Sequence, residues 1–136
     1  MAVATEHLVK DNMITKDKLY PILADAAYCF DFLSIFDVKR TKKPEDYDNY
    51  TNYATQIRLL EDFIGKDKLD YVMGSKEYTE LFLINSRLYD LVDLAKKDIV
   101  KASEVDAVVY ERFVAKGLLQ KRFFPQEIQI EKKIGY

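Results

Sequence analysis

The chain has no tryptophan, one cysteine, one histidine, four glycines and three prolines in 136 residues. Each shortage removes a class of chemistry. A single cysteine, Cys29, forms no internal disulfide, and a structural zinc site needs about four Cys or His ligands where this chain offers one of each. The only imidazole, His7, lies in an N-terminal stretch outside every predicted helix. Ser-His-Asp and Cys-His catalysis therefore lack a positioned base. No Gly-x-Gly or Gly-Lys-Ser/Thr sequence exists to cradle a phosphate. The acids between Asp62 and Asp70 miss the alternating spacing of a calcium-binding loop. No apolar run approaches the roughly 18–20 residues that span a bilayer. The first twenty residues contain no apolar core of a signal peptide. A soluble, cytoplasmic protein is expected. The net charge of −2 gives no general attraction to nucleic acid or to anionic membranes.

What remains is an ordinary globular mixture, 49% hydrophobic and 32% charged. The length suits one domain over residues 1–136, with 1–17 loosely ordered. Cys29, within Ala-Ala-Tyr-Cys-Phe-Asp-Phe, reads as a small buried hydrophobe.

The apolar residues recur at helical spacing almost throughout. The fold class is all-α: a compact bundle of four or five helices, a central and largely buried helix at about 76–102, and a C-terminal extended arm. The central segment carries Leu81, Ile84, Leu88, Leu91, Ala95 and Ile99 on one stripe, widened by Tyr78, Phe82, Tyr89 and Val92. A helix apolar over most of its circumference is surrounded by other helices or by a partner chain. The first helix is predicted from about Leu19 to Asp37, with Pro21 in its first turn. Leu19, Ile22, Leu23, Ala26, Phe30 and Leu33 form its stripe. A second starts near Pro44 and stops at Gly65; a short third runs from Lys66 to Met73, stopped by Gly74. Ser75 caps the central helix. Ser103 is expected to cap a last helix that ends at Gly117 or continues to Phe123, before Pro125. Leu88, Leu91, Phe30, Ile57 and Val109 are expected in the core.

Three constellations bear on function. Asp90 and Asp93 project from one side of the central helix, with Glu80 behind them and Glu61 and Asp62 on the second helix. Helical nucleotide hydrolases hold Mg²⁺ with such acids. The pattern of the all-α nucleotide pyrophosphatases pairs Glu-Glu-x-x-Glu/Asp with a later Glu-x-x-Asp. Here Asp90-x-x-Asp93 stands alone, and Lys96 and Lys97 make a solvated charged face the simpler reading. Two basic clusters, residues 39–43 and residues 121–122 beside Phe123 and Phe124, are candidates for phosphate-backbone contact with aromatic stacking. Finally, the ten tyrosines and eight phenylalanines exceed what a small core needs. Tyr53, Phe123, Phe124, Ile128, Ile130 and Tyr136 are the candidate partner-binding residues.

The expected function is non-catalytic: a protein-interaction protein acting as a small adaptor, inhibitor or assembly subunit, with no cofactor and no bound metal. A homodimer is expected, because one layer of neighbours looks insufficient to cover the central stripe. A Mg²⁺-dependent helical nucleotide hydrolase is the first alternative. A nucleic-acid binder is the second. The arm, 126–136, carries Ile128, Ile130, Ile134 and Tyr136 and is expected to dock on another chain.

Overall fold

Asp25, not Pro21, begins the first helix. In the computed structural model, which describes residues 19–130, helix α1 spans Ala26–Lys42. The Asp25 carboxylate accepts the Tyr28 N–H at 2.8 Å, satisfying a donor that the helix itself leaves open. Leu19 to Ala24 therefore lie outside the helix, and Tyr20, Ile22 and Leu23 are exposed rather than part of an inner stripe. The other end runs five residues beyond Asp37, placing Lys39, Arg40 and Lys42 in the last turn, where the helix dipole favours cations.

Helix α2 spans Tyr47–Ile64, starting after Pro44 because Asp46 is the cap: its side chain accepts the Asp48 N–H. Gly65 ends it at φ 89°, a conformation that side chains rarely adopt. Helix α3, Lys66–Met73, follows as the sequence predicts, and helix α4, Lys76–Lys96, starts where expected, with Ser75 Oγ accepting the Tyr78 N–H. Helix α5 spans Ala102–Phe123. Its cap, Lys101, lies two residues before the expected one. The Lys101 N–H donates to the Glu104 carboxylate, whereas Ser103 sits inside the first turn. It runs straight through Gly117, and Pro125 follows its end.

The central helix stops six residues short of Ala102. The stop is a Schellman turn built on Asp98, at φ 58°. Ile99 N–H donates to the Leu94 carbonyl and Asp98 N–H to that of Ala95, both near 3.0 Å. Ile99 thus leaves the stripe and is exposed.

α4 packs mainly on α1 and α5, and α1 also packs on α2. The inner face of α4, including Leu81, Ile84 and Leu88, is buried within the same chain. Phe30 and Leu33 of α1, Leu69 and Val72 of α3 and Leu119 of α5 complete the centre. Complete burial of such a side chain contributes about 1.5–3 kcal/mol. Leu91 and Ile57 pack half-buried at the margin. Val109 is the exception among the expected core residues: at 43% exposure it faces a cleft, not the interior. Among the described residues the fold is a compact all-helical bundle of five packed helices with no strand.

The arm turns back on the bundle as far as it is described. Lys68 Nζ donates to the last helical carbonyl of α5, Phe123 O, at 2.7 Å. Ile130 N–H donates to the second oxygen of Asp25 at 2.7 Å, so the cap of α1 also anchors residues following α5. Residues 1–17, His7, Ile134 and Tyr136 lie outside the described residues.

Candidate functional site

Asp31 is 2% exposed and sits on the inner face of α1 between Ala27 and Ser34, also buried. A carboxylate in that position requires charge and hydrogen-bond partners. Arg112 of α5 supplies both: its Nε lies 3.0 Å from Oδ1 and 3.1 Å from Oδ2, and a second guanidinium nitrogen reaches Oδ2. Asn85 of α4 donates to Oδ1 at 2.9 Å and to Ser34 Oγ at 2.6 Å. Ser34 Oγ in turn donates to the Asp31 carbonyl. Lys116 Nζ, on a side chain only 7% exposed, lies 3.9 Å from Oδ2 and over the Tyr28 ring. This network joins α1, α4 and α5 at one point. Among the described residues no buried side-chain nitrogen or oxygen lacks a partner.

Beside the network the three helices border a half-open cleft of about 590 Å³. Asn85 and Arg112 line it. Its walls are largely apolar: Ile35 and Val38 from α1, Leu88, Tyr89 and Val92 from α4, Val105 and Val109 from α5; Asp93 also lines it and is paired with Lys97. Lys39, Lys43 and Lys96 lie on its rim, all exposed. Neighbouring cations are matched with carboxylates: Arg40 with Asp37, Lys42 with Asp90, Lys97 with Asp93. Among the described residues Lys39, Lys43 and Lys96 make no ion pair. The arrangement is an apolar trough with positive edges. Such a volume is of the size that proteins use for ligands or for side chains of a partner.

No family model, curated protein or solved structure matches the chain.

The residues singled out from sequence disperse. Phe123 and Phe124 are 4% and 3% exposed, which corrects their reading as a stacking or docking surface. Phe123 lies on the inner face of α5, and Phe124 follows the helix end and turns its ring toward Phe30, 5.9 Å away. Ile128 is 77% exposed and Ile130 is 42% exposed. Tyr53 is half-buried on α2 beneath the Arg40 guanidinium, 4.1 Å from its ring centre. Burial, together with the Asp37 charge, holds its hydroxyl above the usual tyrosine range.

The two basic clusters stand near opposite ends of α4. Arg122 pairs with Glu77 in its first turn, whereas Lys39 and Lys43 share the cleft with Asp93 and Lys96 in its last. The helical rise separates these positions by about 24 Å. Asp90 and Asp93 are about 60% exposed and each holds a lysine at about 3 Å. Among the described residues no group of three or more His, Cys, Asp or Glu side chains is placed to hold a metal ion. No described helix is long and apolar enough to cross a membrane.

Proposed function

We propose that the chain is a non-catalytic protein-interaction protein, a small adaptor, inhibitor or assembly subunit, and that the α1/α4/α5 cleft is where its partner sits. One observation carries the reading: a largely apolar trough whose rim lysines have no carboxylate partner, backed by the hydrogen-bonded Asp31 network. Val92 and Val109 stay about 40% exposed inside a concave surface, where a partner's apolar side chains gain from removal of water. The acids that a Mg²⁺-dependent hydrolase would need, Asp90 and Asp93, are each engaged by a lysine, which supports the binding reading over that alternative.

The test is a paired retention experiment. Val109→Trp fills the cleft without changing charge, at a position open enough for the larger ring. Immobilised wild-type protein is expected to retain a discrete set of proteins that the variant releases. Identical sets on the two proteins would contradict the reading. The proposal also places the chain in the cytoplasm and as a homodimer. The row Tyr110, Val114 and Leu118, at i, i+4 and i+8 on α5 and 41–56% exposed, supports self-association. A monomeric mass by light scattering at high micromolar concentration would remove the dimer and leave the cleft reading intact.

A further inference from the structure

Resting on that reading, we infer that the occupant of the cleft is an amphipathic helix of a partner protein, apolar on one face and acidic along its edges. The shape argues for a helix. Along α4 the lining residues run from Asn85 through Leu88 and Val92 to Lys96. The eleven steps between them at 1.5 Å each give a trough about 16 Å long, three turns of helix. The far wall, Val105 to Arg112 on α5, covers about 10 Å of that length. A helix laid in such a trough presents anchors at i, i+3 or i+4, and i+7, which span about 10 Å.

The charge argues for acids. Lys39 lies in the last turn of α1 and Lys43 caps that helix, four residues apart on one edge; Lys96 ends α4. The helix dipoles account for cations at these termini. They do not account for three that remain without carboxylates when Arg40, Lys42 and Lys97 beside them each have one. A partner with Asp or Glu three or four residues apart would meet Lys39 and Lys43 together. Complementary edges of this kind set orientation and raise association rates.

The experiment selects peptides rather than assuming one. A displayed library of random 16-residue peptides is panned against the wild-type protein, with Val109→Trp as the counter-selection. Recovered peptides are synthesised and titrated by fluorescence anisotropy. The expected result is enrichment of acidic, helix-periodic sequences that become helical on binding. Their affinity should fall about tenfold in the Lys39→Glu/Lys43→Glu variant. It should also fall severalfold between 50 and 500 mM salt. Lys96→Glu, on another helix, gives a second reading, and circular dichroism confirms that each variant is folded. Neutral or basic peptides, or peptides indifferent to the charge reversals, would overturn the acidic-helix inference while leaving the cleft as a protein-binding site. Recovery of no peptide sensitive to Val109→Trp would overturn both. Dodecanoate is titrated in parallel. Saturation of the cleft by this fatty acid, with no peptide competing, would reassign the occupant to a lipid-like anion and overturn the inference.

Discussion

Replacing Asp31 with asparagine removes one charge and almost no volume from the point where α1, α4 and α5 meet. The carboxylate accepts from Arg112 through both oxygens, accepts from Asn85, and lies near Lys116. An asparagine keeps one oxygen and turns the other into an NH₂ donor. If that donor faces Asn85, two amide donors oppose each other; if it faces Arg112, it meets a guanidinium. A buried donor left without an acceptor costs about 1–3 kcal/mol. Breaking a buried ion pair by removing one partner costs about 3–5 kcal/mol. Arg112 is 29% exposed and recovers some hydration, whereas Lys116, at 7%, recovers almost none. The expected loss is therefore about 3–4 kcal/mol, toward the low end of that range. Equilibrium urea denaturation followed by helical circular dichroism measures it. The triple variant Asp31→Leu/Arg112→Met/Lys116→Met removes the carboxylate together with both cations that face it and should lose less than Asp31→Asn alone, because neither cation is left buried against a missing charge. A loss below about 1 kcal/mol for Asp31→Asn, or a triple variant less stable than the single one, would refute the reasoning.

Tyr78→Phe deletes a hydroxyl that donates to Asp37 at 3.1 Å and should cost about 1.5 kcal/mol by the same assay, since Arg40 still holds Asp37. Burial, and then the Asp37 charge, raise the Tyr78 hydroxyl far above its ordinary value of 10.0. The folded form keeps that proton when the unfolded chain has lost it, so this contribution is complete below pH 10 and is lost as pH rises above it; Tyr78→Phe should flatten that alkaline decline. Asp98→Gly relieves a left-handed aspartate at the end of α4 and should raise stability by about 0.5–1 kcal/mol, read as an increase in the urea midpoint. The Cys29 thiol is held above its ordinary 9.0 by burial and then by the Asp25 charge, so alkylation at pH 8 should run slower than for free cysteine and still be rising past pH 9.

The helices that announce themselves by periodicity and caps were legible in the sequence. Gly65, Gly74 and Ser75 mark α2, α3 and the start of α4 because glycine and serine have few competing roles at those positions. The misplaced ends have physical causes. Asp25 competes with Pro21 as a start signal, and the side-chain hydrogen bond decides for Asp25. Asp98 ends α4 in a conformation that sequence patterns assign to glycine or asparagine. The buried network leaves a faint trace in the sequence: Asp31, Ser34 and Asn85 are polar residues at inward positions of otherwise apolar stripes. Arg112 and Lys116, four apart, mark the matching side of α5. The cleft left no comparable trace. It is bordered by residues of three helices far apart in sequence, and Val109 differs from a core valine only by what is missing in front of it.

Methyl-labelled NMR of the wild-type chain, titrated with the proteins it retains and Val109→Trp releases, bears most directly on the cleft as the site of function. Binding there shifts the methyl signals of Leu88, Val92, Val105 and Val109 together and leaves Leu69 and Val72, buried in α3 away from it, in place. Shifts confined to Val114 and Leu118 on the outer face of α5, or to α2 and α3, with the cleft methyls unmoved, would contradict the account.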